Sequence, residues 1–217
     1  MGAVTLVSRA TLLQALPPGN LGHFPGYPLG AGQHLWRAGR IDKRPWWYCN
    51  KGDCRFDLAP PLGTCHMGTD DLAGIIEILG PHVKPGDLLA SEFLDKRTIW
   101  EWPLSGTLIA ADFVSTVASG FGVTNELCAM TPYEIPQAWA TALQQAGFQA
   151  VRYRTRFDTG EKARGIAHFD HAGDAGVRAG EQSHAIDASV RSRLESEFGL
   201  KVAPRPLLGE LDLAPPP

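Results

Sequence analysis

The chain has 217 residues, 44% of them hydrophobic, and a formal charge of −3, with an isoelectric point near 6.1. That is enough apolar material for one substantial core, and it supplies no global field to attract nucleic acid or an acidic membrane. No run of about eighteen apolar residues is present to span a membrane, the first residues lack a signal-peptide pattern, and four cysteines are too few to make a disulfide scaffold in a chain this long. A reducing, cytoplasmic setting is therefore expected.

Residues 1–34 read as an N-terminal segment outside the body: a short amphipathic lead ending at Pro17-Pro18, then an irregular stretch dense in Pro and Gly. The body is expected over 35–170. Its first well-punctuated helix is "TDDLAGIIEILGP" (69–81), in which Thr69 can cap, Asp70 and Asp71 complement the positive helix end and Gly80-Pro81 stop it. Leu72, Ile75, Ile76 and Leu79 form its apolar stripe, and Glu77 lies off that stripe.

"GTLIAADF" (106–113) reads as a strand, "EIPQAWATALQQAG" (134–147) as a helix with Pro136 in its first turn and Gly147 as terminator, and "AVRYRTRF" (150–157) as a second strand. On that strand Val151, Tyr153 and Thr155 share one face, and Arg152, Arg154 and Arg156 the other. The turn "DTGEKARG" leads to a closing strand at 165–170. The extension 171–217 should carry one helix, marked by Ile186, Val190, Leu194 and Phe198, before a Pro-rich tail. Strands and helices do not alternate regularly, so the fold class is α+β.

Several constellations have both a chemical and an ordinary reading. Cys49, Cys54, Cys65 and His66 offer metal-ligand atoms, but adjacent residues on a strand face opposite ways, so Cys65 and His66 cannot easily grip one ion; no metal site is expected and buried free cysteines are preferred. No flanking pattern supports a thiol enzyme. Arg37 and Arg55 each neighbour an aromatic residue; paired guanidinium forks suit a pyrophosphate, while surface ion pairs are the ordinary alternative. The Arg face of 152, 154 and 156 is either solvated or an anion cradle, Trp46-Trp47-Tyr48 either packing or a stacking surface, and Glu77 either solvated or a cleft carboxylate.

In order and spacing, "LWR" (35–37), "RF" (55–56), "GTCHMG" (63–68), Glu77 and "AGFQAVRYRTRFDTGEKARGIAHF" (146–169) resemble the RES domain family, which includes the toxins of Xre–RES toxin–antitoxin pairs. His66 stands where that family usually has Tyr, and Thr155 where it usually has Ser. The resemblance implies a fold similar to ADP-ribosyltransferases, with two small sheets flanking a cleft and peripheral helices. It also implies breakdown of NAD+ at the nicotinamide–ribose bond by hydrolysis or phosphorolysis, with NAD+ as substrate and no separate cofactor. Glu77, Arg55 and Thr155 would be catalytic, and Arg37, Arg55, His66 and Tyr153 would bind substrate. An antitoxin protein is the partner implied, with neither nucleic acid nor membrane. An ADP-ribosyltransferase acting on a protein or small molecule, an NAD-binding module without catalysis and a zinc-stabilised interaction domain are the alternatives.

Overall fold

The computed structural model describes residues 14–79, 88–156, 158 and 163–203. Its main sheet has eight strands, in the order β1 (Gly26–Leu29), β7 (Leu108–Asp112), β8 (Ala150–Arg154), β9 (Arg164–His171), β4 (Leu62–Gly68), β2 (His34–Arg40), β6 (Arg97–Pro103) and β11 (Gln182–Ala185). Only β7 and β8 run parallel within it. Two short pairs, β3 (Trp47–Tyr48) with β10 (Gly173–Asp174) and β5 (Leu89–Ala90) with β12 (Val202–Ala203), lie outside it. The α+β class read from the sequence is the one observed.

The two sheets expected from the resemblance are here two lobes of this sheet. Seven registered pairs join β2 to β6 and seven join β4 to β9, whereas β2 and β4 share one, Trp36 with Gly68. Beyond that seam the two strands diverge.

Four α-helices flank the sheet among the described residues: α1 (Asp71–Leu79), α2 (Ser91–Asp95), α3 (Glu134–Gln145) and α4 (Ala188–Phe198). The N-cap of α1 is Asp70, whose Oδ1 accepts from the Ala73 amide at 2.7 Å; the expected cap Thr69 instead donates to the Arg164 carbonyl. A carboxylate accepts from an orphan amide more strongly than a hydroxyl does, and it also favours the positive helix end. Gly80-Pro81, residues 159–162 of the "DTGEKARG" turn, residues 1–13 and the Pro-rich tail lie outside the described residues.

The sheet face that carries Val151, Tyr153 and Ala167 packs on Phe56, Phe113, Trp139 and Leu143, the last two from α3. The opposite face buries Leu35, Trp46, Tyr48, Cys65, Met67 and Trp102. A third cluster joins Leu72, Ile75, Ile76 and Leu79 of α1 to Ile186 and Leu194, so the C-terminal helix docks as its spacing predicted. The segment before Leu35, expected to be irregular, supplies β1, because Leu29 is fully buried and Tyr27 and its neighbours find register against β7. Likewise the sheet continues past Asp170, where β11 pairs with the edge of β6.

Glycines let α1 sit on the seam. Across the sheet run the registered partners Tyr153, Gly165, Gly68 and Trp36 on four neighbouring strands. A Cβ on Gly68 would lie 2.2 Å from the Gly74 amide nitrogen of α1, and one on Gly74 would lie 2.9 Å from the Trp36 carbonyl. A Cβ on Gly165 would lie 2.3 Å from the Tyr153 ring. The two strand glycines therefore cut a trough that takes the helix backbone on one side and the tyrosine ring on the other.

Candidate active site

Glu77, near the C-terminal end of α1, is aimed across this trough. The Tyr153 hydroxyl donates to its Oε2 at 2.7 Å, and His66 Nδ1 lies 3.1 Å from the same hydroxyl. A phenol has one proton, and here it goes to the carboxylate, so the oxygen accepts from His66 Nδ1–H. His66 is thereby fixed as the neutral Nδ1–H tautomer, stacked on Phe56 with ring centroids 6.3 Å apart. Burial, and then the cations Arg37 and Arg55, push its pKa down to about 3.

Burial raises the Glu77 pKa above the ordinary carboxylate value, and the Tyr153 hydrogen bond, Arg55 and Arg37 oppose that rise. Burial likewise raises the Tyr153 phenol well above its usual value, so it remains a donor. The result is a half-buried carboxylate gripped on one oxygen by a residue that cannot compete with it for charge.

Between β2 with the loop that follows it, the end of α1 and the start of β6, a cleft of about 630 Å³ opens, lined by Glu77, Arg37, Arg40, Lys43, Arg44 and Arg97 among others. Its size suits a small-molecule ligand. Arg37 bridges the diverging strands, its Nη1 donating to Cys65 Sγ and to the His66 carbonyl, both at 2.9 Å. Arg40 pairs with Asp42 and Arg44 with Asp174 at the rim, where Trp47 stands half-exposed, while Trp46 and Tyr48 are fully buried. The "WWY" stretch thus divides between core and rim. Five cations against three carboxylates around the cleft favour an anionic ligand despite the negative chain.

The structure brings together His66, Tyr153 and Glu77 by hydrogen bonds, and Glu77 and Arg37 by a shared cleft. Arg55 joins them electrostatically, lowering both Glu77 and His66; its guanidinium lies 5.7 Å from the Tyr133 ring centre, and its buried Nε has no hydrogen-bond partner among the described residues. Thr155 is 4% exposed, and its buried hydroxyl likewise has no partner among the described residues. Two expected roles shift. Tyr153, read as a substrate contact, is fully buried and instead holds Glu77. His66, also read as a substrate contact, is stacked on Phe56 and holds Tyr153.

The arginine face of β8 is not a free anion cradle. Arg152 bonds Asp112 at 2.8 Å and lies over the Tyr27 ring, and Arg156 donates to the Ala129 carbonyl. The sequence reading missed the cleft cations Arg40, Lys43, Arg44 and Arg97. The signal for Arg40, Lys43 and Arg44 was the basic run "RAGRIDKR" (37–44), which overlaps the strand that the resemblance singled out; Arg97 joins them from β6, a neighbour that only the sheet order reveals.

Among solved structures, one chain of the crystal structure of the M. tuberculosis MbcT–MbcA toxin–antitoxin complex superposes with a TM-score of 0.56, covering 78% of this chain and 92% of that one at 12% identity. The fold is that of a chain from a toxin–antitoxin complex. This agrees with the α+β architecture that the RES motifs imply. Neither a protein-family model nor a curated protein sequence matches the chain. Among the described residues no helix is long and apolar enough to cross a membrane.

Proposed function

We propose that this chain is a cytoplasmic RES-type enzyme that degrades NAD+ by cleaving the nicotinamide–ribose bond, by hydrolysis or phosphorolysis, as the toxin of a toxin–antitoxin pair. The observation that supports it most is Glu77: a carboxylate held by Tyr153 at the wall of a cation-lined cleft. Breaking this bond builds positive charge on the ribose while nicotinamide leaves as a neutral base. A fixed carboxylate stabilises that oxocarbenium-like state, and it can also orient the attacking water or phosphate.

Arg37 and the rim cations engage the diphosphate, with Arg55 behind them. Binding energy from that remote group positions the reacting bond. The Thr155 hydroxyl, one of the buried groups without a partner among the described residues, is assigned to the ribose or its attacking water. His66 keeps the tyrosine oxygen supplied with a donor, so the tyrosine hydroxyl stays turned toward Glu77 and donates to it.

Incubating the purified chain with NAD+, with and without inorganic phosphate, tests the reading by its products. ADP-ribose marks hydrolysis, its phosphorylated counterpart marks phosphorolysis, and label passed from NAD+ to another molecule marks a transferase. Saturable NAD+ binding without nicotinamide release would leave a binding module and overturn the proposal.

Tyr153→Phe separates the roles within the site. Glu77 acts ionised, so activity falls as pH drops through its raised pKa. Removing the donated proton removes a hydrogen bond to a charged group, about 1.5–3 kcal/mol. The acid limb of kcat should therefore move up by roughly one to two pH units with little change in KM. An unmoved limb would take Tyr153 out of the mechanism.

A further inference from the structure

The loop between β3 and β4 gathers a second set of reactive atoms on either side of Arg55 in sequence. Its start is fixed by backbone pairing of Cys49 with Thr64, at 2.9 and 2.8 Å. Gly52, with φ of +79°, turns the chain back. From α3, Gln137 Nε2 donates to the carbonyls of Gly52 and Cys54, both at 2.9 Å.

Within this pinned loop the Cys49 and Cys54 sulfurs and an Asp57 carboxylate oxygen all lie within 4.8 Å of one another. Asp57 is only 3% exposed. Its Oδ2 accepts from the Cys54 amide at 3.1 Å, which orients the carboxylate, while its Oδ1 is buried without a partner among the described residues. Beyond the Cys54 amide the carboxylate has only weaker help from the Cys49 thiol and the Gly52 backbone, so its burial stays costly, and a cation is one of the few groups that can offset it at a site flanked by two thiols.

We propose that Cys49, Cys54 and Asp57 form a binding site for a borderline-soft divalent cation of the Zn2+ class. Tetrahedral zinc with bonds to sulfur of about 2.3 Å places two thiolates about 3.8 Å apart, within reach of small side-chain rotations from the observed arrangement. Both cysteines are half-buried, so the fourth position is open to water or an outside ligand. Two thiolates and one carboxylate give a net charge of −1 with the ion, and binding releases the two thiol protons.

Cys65 and His66, which sequence proximity alone offered as ligands, are engaged elsewhere, with Arg37 and Tyr153. Asp57 is the ligand the sequence did not single out. The ion closes the loop that carries Arg55 and the buried Phe56, and the site stands whether or not the chain degrades NAD+.

Titration of the metal-free full chain with Cd2+ reads the site through thiolate-to-metal charge-transfer absorption. One equivalent should bind, at least tenfold more weakly in Cys49→Ser and in Cys54→Ser, and undiminished in Cys128→Ala. X-ray absorption of the Zn2+-loaded wild-type chain, which needs no variant to fold, should show two sulfurs in the first coordination shell. Absence of the charge-transfer band in the wild type, its survival in both serine variants, or a shell of nitrogen and oxygen alone would overturn the proposal.

Discussion

Glu77→Gln should lower nicotinamide release from NAD+ by roughly 100- to 10,000-fold, the range associated with removing a positioned charge or general base from a reacting centre. The side chain keeps its shape and an oxygen to accept from Tyr153, so only the charge is lost. Stability should move the other way. Because burial raises the Glu77 pKa in the folded state, the ionised carboxylate costs the fold stability above that pKa, a cost relieved as pH falls through it. A neutral glutamine carries no such cost, so the variant should melt at the same temperature or higher at neutral pH. Loss of activity with gain of stability is the pattern of a strained functional group. A Glu77→Gln variant that turned over NAD+ at the wild-type rate would remove the carboxylate from the chemistry; thermal unfolding and product quantification together decide.

The second large effect is Gly68→Ala. The added methyl meets backbone, at 2.2 Å from the Gly74 nitrogen and 2.5 Å from the Ala73 carbonyl carbon, where no flexible side chain can yield. Either α1 lifts from the seam or β4 shifts. We expect destabilisation of about 3 kcal/mol, the upper part of the usual cost of overpacking, and a fall in Tm of roughly 6–12 °C for a domain of this size. Glu77 rides on α1, so activity at a temperature where the variant is still folded should also fall, through kcat more than KM. Gly106→Ala, where a Cβ would meet nothing, is the matched control and should change neither quantity. A Gly68→Ala melting curve superposed on the wild type would show that the helix does not rest on this strand.

Much of the scaffold was legible because local signals and burial agree. The stripe of Leu72, Ile75, Ile76 and Leu79 defined α1 and left Glu77 off it, and the two-residue alternation of 151–155 put Tyr153 and Thr155 on the buried face. What local signals could not show was which strands neighbour one another. β6, with its mixed "RTIWEWP", has no clean alternation, yet it lies between β2 and β11 with Ile99, Glu101 and Trp102 buried. The same limit affected the site. That Tyr153 reaches Glu77 depends on Gly165 and Gly68 being in register beside it, a non-local fact, so a residue read as a ligand contact proves to be the carboxylate's support. For His66 the resemblance identified the position, and its tautomer and partner needed the neighbouring strands.

The proposed chemistry depends on Glu77 facing a bound NAD+. Its most direct test is the time course of nicotinamide release, followed by proton NMR, from NAD+ mixed with the wild-type chain whose cooperative unfolding has been verified. Saturable release of many nicotinamides per chain is the expected result. A folded chain that releases none, with or without phosphate, would contradict it.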